Sequence, residues 1–425
     1  MFNASQGAGL TTTNVVVGRT SLSRLNWRLA IALFVAGLLW IGPYIGSIGV
    51  VMPALVAQVA PDDRVALVGL MGILGAALSL VSNILFGALS DLTRSRFGAR
   101  TPWILVGAIG TAVGLWGLSS ASTPVALVVW WSIYMLLLNA IIAPMVAVIS
   151  DRVPEKYRGT ISSIYGVSLV VGSSLSQIVG AGFVSDPRTG LIVFAVVTLI
   201  SGPFFVLMAP DRSNRDVERQ RMTARDIARS FSFPTRGARD FYFALFGKFA
   251  LMAGAYAITN FQLYILTDYI NLSEGAAAGI IALMATITLV TSLVFGLGAG
   301  PLSDRLGRRK PFVIVAALLI GVGILFPFLA PFAWAMVVYS VLSGIGNGAY
   351  SSVDQALNIE VLPSKKNAAK DLGLLNMANS GGQILGPVLT SVLVGITGGY
   401  QASFIAAFVL LVISAVLMIP IKRVR

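Results

Sequence analysis

Two ionisable side chains fall inside long apolar stretches of this sequence, which makes them the first candidates for chemistry. Lys248 lies in the stretch 241–266 and Asp354 in the stretch 332–357. A lone ion at the centre of a bilayer costs about 2.5–3.5 kcal/mol even on insertion scales, so each needs a partner or water. We expect similar depths for both, so they can pair, either as a purely structural ion pair or as a pair in which Asp354 takes up and releases a proton.

Chemistry that depends on Cys or His is excluded, because the sequence contains neither residue. Thiol catalysis, disulfides, a Ser-His-Asp triad and Cys/His metal sites are therefore ruled out. The sequence also lacks a GxxxxGK[ST] loop for ATP and a cluster of catalytic carboxylates. We expect no catalytic residues, no metal site and no cofactor, so the chain is not predicted to be an enzyme.

Polar residues recur at helical spacing on otherwise apolar stretches, a pattern that indicates a face turned to water. One stretch carries such a face at Ser340, Ser343, Asn347, Tyr350 and Asp354. Over six stretches, the predicted substrate-binding or cavity residues are Trp40, Tyr44, Asn139, Gln177, Lys248, Thr259, Gln262, Asn347, Tyr350, Asp354, Asn376, Asn379 and Gln383.

Amides, hydroxyls and the rings of Trp and Tyr together suit a neutral polyol. A sugar offers many hydroxyls for hydrogen bonds and an apolar C–H face for stacking. Two plainer interpretations stay open, because Ser and Asn also join membrane helices and Trp and Tyr also face lipid.

The chain as a whole is too apolar for a soluble protein. Its 425 residues are 56% hydrophobic and 11% charged, against about 25% charged residues in soluble domains. The net charge of +13 would suit a nucleic-acid binder, but the cytoplasmic loops of a membrane protein give the same excess. The positions of the Lys and Arg residues decide between these classes.

Twelve apolar runs of about 20 residues are present, the length that a helix needs to cross about 30 Å of hydrocarbon. They predict an all-α integral membrane protein with twelve transmembrane helices in two pseudo-symmetric six-helix bundles. The runs are 27–51, 65–89, 102–120, 125–149, 160–184, 190–209, 241–266, 275–300, 312–330, 332–357, 374–396 and 403–421.

Lys and Arg gather on one side of this topology, in 19–28, 94–100, 152–158, 210–240, 305–310, 365–370 and 422–425. Only Arg64 and Arg188 fall on the other side. Positive loops stay in the cytoplasm, so both termini are predicted to be cytoplasmic, in the cell inner (plasma) membrane. Because the predicted cytoplasmic loops account for the excess of Lys and Arg, we expect no nucleic acid as a partner. The expected partners are a small polar solute, a coupling proton and membrane lipids, with the chain a monomer.

The two halves of the chain repeat a loop motif. GALSDLTRSRFGARTP at 87–102 and GPLSDRLGRRKP at 300–311 both contain LSD and then RxGxRxP. Downstream, Asp151 precedes Pro154 as Glu360 precedes Pro363. A duplicated chain is predicted, with an N-terminal tail at 1–26 that lacks a signal peptide's apolar core. Its other parts are a bundle at 27–209, a basic linker at 210–240, a bundle at 241–421 and a tail at 422–425.

The paired GxLSDRxGRRxP loops, the twelve runs and the basic linker resemble the major facilitator superfamily over the whole chain. The longer SDLTRSRFGARTPWIL is similar to the loop of the sugar:cation symporters, in the glycoside-pentoside-hexuronide and proton-coupled sucrose transporter families. The glycoside group carries carboxylates on its second span, where this sequence has Ser79 and Asn83. Sodium coupling of that type is therefore not expected.

The resemblance implies a latch that closes the cytoplasmic side when the protein faces outward. A carboxylate at a helix end, a tight Gly turn and guanidinium groups can form such a charge cluster. The alternative is that these charges only hold topology and bind anionic lipid headgroups. The predicted gate residues are Asp91, Arg96, Gly98, Arg100, Asp304, Arg305, Gly307, Arg308 and Arg309.

Residues and resemblance together predict a secondary active transporter that works by alternating access, with proton-coupled symport of a sugar or glycoside. Two alternatives stay open: efflux of a drug or metabolite by proton antiport, and a non-transporting membrane assembly factor on the same fold. Efflux is disfavoured, because GSSLSQIVGAG at 172–182 lacks the Gly-Pro pattern that exporters of the superfamily carry on the fifth span.

Overall fold

The computed structural model describes residues 27–215, 233–234, 237–363 and 368–422, and this part of the chain forms twelve long helices. The predicted N-terminal tail, most of the predicted linker and residues 364–367 and 423–425 lie outside the described residues. The helices are α1 (Trp27–Val59), α2 (Arg64–Leu92), α3 (Thr101–Ser119), α4 (Pro124–Arg152), α5 (Glu155–Ala181), α6 (Pro187–Met208), α7 (Arg239–Thr259), α8 (Glu274–Leu306), α9 (Lys310–Leu329), α10 (Ala333–Glu360), α11 (Ala368–Thr397) and α12 (Gln401–Met418).

Eleven of the described helices are long and apolar enough to cross a membrane. The twelfth, α10, has 28 residues and is long enough, but its stripe of Ser, Asn and Asp residues makes it more polar than the others. Polar residues on a spanning helix are tolerated where they face the interior of the bundle. The predicted all-α, multi-span membrane fold is therefore confirmed.

Two helices depart most from the predicted spans. The first run was expected to end at 51, but α1 continues to Val59 through a π-helical turn at Ser47–Val51, between Pro43 and Pro53. Each proline lacks an N–H donor and so interrupts the regular hydrogen bonding of the helix, which here passes into a π turn and continues. The seventh run was expected to be one helix to 266. Instead α7 ends at Thr259 and the chain resumes as Gln262–Tyr264 and a π turn at Ile265–Tyr269.

Helix packing repeats between the halves. In the first half α1 packs against α5 and α6, α4 against α2 and α3, and α3 against α6. The second half repeats this pattern six helices later, with α7 against α11 and α12, α10 against α8 and α9, and α9 against α12. The halves meet where α2 packs against α11 and α5 against α8. The recurring motif and the packing therefore point to the same duplication.

The ends of the bundle differ in charge. We call the end that carries Arg100, Arg152 and Arg309 the basic end, and the end that carries Arg64 and Arg188 the opposite end. Arg188 donates to the carbonyls of Ser119 (2.5 Å) and Ala121 (3.0 Å) at the end of α3. A guanidinium group there satisfies carbonyls that the last helical turn leaves unpaired.

Candidate functional site

A cavity of about 560 Å³ lies between the two halves. Its walls come from α1 and α5 of the first half and from α7, α8, α10 and α11 of the second. The polar residues that line it are Ser173, Ser174, Gln177, Tyr256, Thr259, Asn260, Gln262, Thr288, Ser292, Tyr339, Ser340, Ser343, Asn347, Tyr350, Ser351, Asp354, Asn379 and Gln383. Most of these polar residues carry hydroxyls or amides and one, Asp354, is charged, while apolar residues such as Leu169 and Met252 supply the rest of the wall. The cavity therefore offers many hydrogen-bonding groups, apolar surface and little charge.

Lys248 and Asp354 form an ion pair at the wall of this cavity. The Lys248 Nζ lies 2.7 Å from the Asp354 Oδ2, and the Asn358 Nδ2 donates to the same oxygen at 3.1 Å. The Lys248 side chain is 3% exposed and lies behind the wall, whereas Asp354 is 12% exposed and lines the cavity. Asp354 therefore neutralises the buried ammonium group of Lys248. Of the two side chains, only the carboxylate of Asp354 can be reached by water or a solute in the cavity.

The structure brings most of the predicted site residues to this cavity. Asp354 is joined there by Gln177, Thr259, Gln262, Asn347, Tyr350, Asn379 and Gln383. The Oδ1 of Asn379 is buried without a hydrogen-bond partner in the described part of the chain. Unsatisfied buried polar atoms are uncommon, and at a cavity wall they favour a ligand or water as the missing partner.

Trp40 and Asn139 lie away from the cavity lining, contrary to the prediction. The Trp40 Nε1 donates to the hydroxyl of Tyr165 at 3.2 Å. Asn139 accepts from the Nδ2 of Asn83 at 3.0 Å and donates to the Oγ of Ser79 at 2.9 Å. Neighbouring helices of the first half satisfy these polar atoms, so both residues join helices. Tyr44 lines a smaller pocket beside the cavity, and the side chain of Asn376 lies outside what the structure describes.

Several lining residues were not predicted. Ser173 precedes Gln177 by four residues, a spacing that places two residues on one helix face and therefore carries a signal. Tyr256 and Asn260 follow Lys248 by eight and twelve residues, which turns them about 80° and 120° away from it on a helix of 3.6 residues per turn, so helical phase alone does not find them.

At the opposite end, the two halves are joined by side chains from the broken end of α7. Arg64 lies 3.0 Å from Asp268, and its guanidinium carbon lies 5.3 Å from the centroid of the Tyr264 ring. The hydroxyl of Tyr264 donates to the carbonyl of Pro53 at 2.7 Å. Below these contacts, the Gln262 Nε2 donates to the Gln177 Oε1 at 2.9 Å. The cavity is therefore covered at the opposite end by polar contacts between the halves.

At the basic end, the repeated loops form two matching ion clusters. Arg100 bridges Asp91 (2.5 Å) and Asp151 (2.9 Å), at the ends of α2 and α4. A guanidinium group has several donors in one plane, so a single Arg can bind two carboxylates.

The second cluster repeats the first in the other half. Arg309 bridges Asp304 (3.2 Å) and Glu360, at the ends of α8 and α10. Gly98 and Gly307 have φ of 84° and 59°, which side-chain-bearing residues rarely adopt. The side chains of Arg96, Arg305 and Arg308 are exposed. Each cluster ties together helices of its own half and joins predicted gate residues to a carboxylate that was not predicted to be part of the gate, Asp151 or Glu360.

Among the described residues, no group of three or more His, Cys, Asp or Glu side chains could hold a metal ion. The cavity lining offers hydrogen-bonding groups, one neutralised ion pair and the faces of Tyr256, Tyr339 and Tyr350.

Comparison with known sequences gives a family match over nearly the whole chain. The profile described as Major Facilitator Superfamily matches residues 29–283 and 244–425. The glucose transport protein of Synechocystis sp. is 35% identical over 130 residues, which cover 28% of this chain and 26% of that protein. Monocarboxylate transporter 2 of Homo sapiens is 26% identical over 208 residues, or 48% of this chain and 42% of that protein. These matches span less than half the length of either relative.

Solved structures match the fold over its full length. A mutant of the nucleoside transporter NupG superposes with a TM-score of 0.71 at 16% identity, covering 92% of this chain and 98% of that one. A bacterial homolog of the human lysosomal transporter Spinster, in an inward-facing and unoccupied conformation, gives 0.65 at 15% identity, with 93% and 95% covered. From the family profile across both halves and the shared twelve-helix fold, we conclude that the chain belongs to the Major Facilitator Superfamily and has the multi-span membrane fold of that family.

Proposed function

We propose that this transporter carries a neutral polar solute, a sugar or glycoside, together with a proton. The observation that carries the proposal is the cavity wall, where hydroxyls and amides surround an ion pair whose charges cancel. A neutral polyol would meet no unpaired charge in such a site, and its hydroxyls can form hydrogen bonds with the hydroxyls and amides of the cavity wall.

Asp354 is the proposed proton site. Its Oδ2 accepts from Lys248 and Asn358, and the residue also lines the cavity, so a proton can reach it from the solution that fills the cavity. Protonation would remove the charge that holds Lys248, and the ammonium would then need a new partner. A coupling residue requires such a change in interactions between its two protonation states.

The basic end is proposed to be cytoplasmic, because Lys and Arg near membrane helices are retained on that side. In this orientation the contacts from Arg64, Tyr264 and Gln262 close the outer side of the cavity. Alternating access requires these contacts to break and the two ion clusters at the basic end to approach each other. The plasma membrane, a monomer and the division into two bundles and a linker belong to the same proposal.

The proposal is tested with purified protein, first by thermal unfolding against sugars, glycosides, polyols, nucleosides and cationic drugs. A ligand at 100 times its Kd stabilises the protein by about 2.7 kcal/mol. We expect a sugar or glycoside to raise Tm in the wild type and less so in Asn347→Ala. Stabilisation by cationic drugs alone would contradict the sugar assignment.

Proton coupling is tested in proteoliposomes with the solute found in this way. We expect Asp354→Asn to abolish accumulation driven by a pH gradient and to retain exchange of labelled for unlabelled solute. Glu274→Gln is the matched control, since it removes an exposed carboxylate at the start of α8, and it should behave as wild type. Undiminished accumulation in Asp354→Asn would refute the assignment of the proton site.

A further inference from the structure

A second, much smaller pocket adjoins the central cavity. It has a volume of about 20 Å³ and shares four wall residues with the cavity: Ile48, Tyr256, Asn260 and Gln383. About 10–15 Å³ of space open to a water-sized sphere is needed to hold one water molecule. The pocket is therefore large enough for a group of one or two non-hydrogen atoms.

One side of the small pocket presents polar groups that are not otherwise used. Tyr44, Tyr256, Asn260 and Gln383 line it, and the side chains of these four residues make no hydrogen bond to any other residue that the structure describes. Asn260 is 3% exposed. Tyr44, Tyr256 and Gln383 are partly buried and border the open space of the pocket. Hydroxyls and amides that face a pocket without a protein partner favour a polar guest or water in that place.

The other side of the pocket is apolar and is kept open by small residues. Gly72, Gly75 and Ala76 of α2 face Trp131 and Met135 of α4. The Trp131 Nε1 donates to the carbonyl of Met71 at 3.0 Å, which fixes the indole. A Cβ at position 75 would lie 2.7 Å from that nitrogen, so a larger residue would close the space. This wall suits a C–H surface and offers no charge.

We propose that this pocket is a second compartment of the solute site and that it binds a hydroxymethyl group. Such a group has two non-hydrogen atoms, a hydroxyl for the amides and phenols and a methylene for the apolar wall. A hexopyranose carries this group on its ring, where the matching pentopyranose carries only a hydrogen atom. The inference rests on the proposed sugar transport and adds to it a basis for choosing hexosyl over pentosyl solutes.

The test compares matched pairs of sugars, glucose with xylose and galactose with arabinose, in binding to the purified protein. Ala76→Val fills the pocket from α2, away from the central cavity. Ala77→Val is the control, because the neighbouring residue is exposed and outside both pockets. One methylene in an apolar pocket is worth about 10-fold or more in discrimination. We expect Ala76→Val to weaken hexose binding about 10-fold, to change pentose binding less than about 2-fold, and Ala77→Val to change neither.

An equal loss of hexose and pentose binding, or no loss of either, in Ala76→Val would overturn the inference, since a water-filled or structural void gives one of these results. If no sugar binds to the wild type, the proposed solute class itself fails and the inference with it. If Ala76→Val does not fold, Gly72→Ala replaces it, because a Cβ there lies 3.4 Å from Pro387, an ordinary contact.

Discussion

Arg64 and Asp268 lie 3.0 Å apart at the opposite end of the bundle and join the two halves of the protein. Arg64 begins α2, and Asp268 lies in the π turn that follows the break in α7. The guanidinium group also covers the ring of Tyr264, whose hydroxyl is bound to α1. One short segment of the second half thus makes three contacts to the first half, and we expect the cavity to open on that side when they break.

Removing this ion pair is expected to favour opening of the proposed outer side. The two side chains are 34% and 23% exposed, so the pair is worth about 1 kcal/mol, or about a 5-fold change in the equilibrium. Because the native chain has no Cys, a single reporter can be placed in the cavity as Ser173→Cys. We expect Asp268→Asn to raise its labelling rate by an impermeant maleimide about 5-fold.

A double variant in which the two charges are swapped is the control for this experiment. Arg64→Asp combined with Asp268→Arg should return the labelling rate towards wild type. Arg188→Ala removes a positive charge from the same end, but its bonds stay within the first half, so it should leave labelling unchanged. Equal rates in all variants would show that the pair does not hold the halves together.

The buried pair of Lys248 and Asp354 predicts a pattern of stability changes. Breaking a buried ion pair from one side typically costs about 3–5 kcal/mol, because the other charge stays behind. We expect Lys248→Met to cost about 3 kcal/mol, at the lower end, since Asp354 reaches the cavity.

The double variant Lys248→Met with Asp354→Asn should recover most of that loss, because it leaves no charge in the wall. Thermal unfolding in detergent measures Lys248→Met, Asp354→Asn and the double variant. A double variant that is as unstable as the sum of the single ones would mean that the two side chains do not interact in the folded protein.

Sequence reasoning predicted the depth of Lys248 and Asp354 because each position could be counted along its span. Helical phase also predicted which faces are polar, and most of those faces line the cavity. Helical phase does not show whether a polar face contacts a cavity or a neighbouring helix. The sequence therefore predicts Trp40 and Asn139 at the cavity, whereas both form hydrogen bonds to neighbouring helices. The break in α7 was also missed, because the segment 259–266 contains neither Gly nor Pro.

The loop motif predicts a gate, but the sequence does not show that each ion cluster has a third member, Asp151 or Glu360, outside the loop. Asp151 and Glu360 belong to the clusters because α4 and α10 end beside the loops, where Arg100 and Arg309 reach them. Such a contact depends on how helices distant in sequence pack, and residue spacing alone does not contain that information.

Neutralising Asp304 is expected to change turnover more than solute affinity. Its carboxylate is 67% exposed and binds Arg309, so its loss should cost no more than about 1 kcal/mol of stability. The cluster lies at the basic end, away from the cavity lining. We expect Asp304→Asn to keep Kd within about 2-fold and to lower the transport rate several-fold, by shifting the balance between conformations.

Binding by thermal shift and transport in proteoliposomes separate the two effects. Asp91→Asn tests the matching cluster in the first half and should give the same pattern. A change in Kd equal to the change in rate would assign these carboxylates to solute binding and contradict the latch.

The contact between α8 and α10 depends on a glycine. A Cβ at Gly348 would lie 2.8 Å from the Cα of Ser292 and 3.0 Å from the backbone nitrogen of Gly296. Backbone atoms of a packed helix cannot move aside as a flexible side chain can, so the helices would have to separate. Overpacking of this kind costs about 1–3 kcal/mol, and we expect Gly348→Ala to lower the free energy of unfolding by about 2 kcal/mol.

Gly298 on α8 is the matched control for this substitution. A Cβ there meets no atom within 4 Å, and Ala has a higher helix propensity than Gly by about 0.8–1 kcal/mol. Gly298→Ala should therefore leave Tm unchanged or raise it, whereas Gly348→Ala lowers it. Because α10 carries Asn347 and Asp354 into the cavity, separation of α8 and α10 should also weaken solute binding in Gly348→Ala alone. Equal Tm values for the two variants would show that α8 and α10 do not pack this closely.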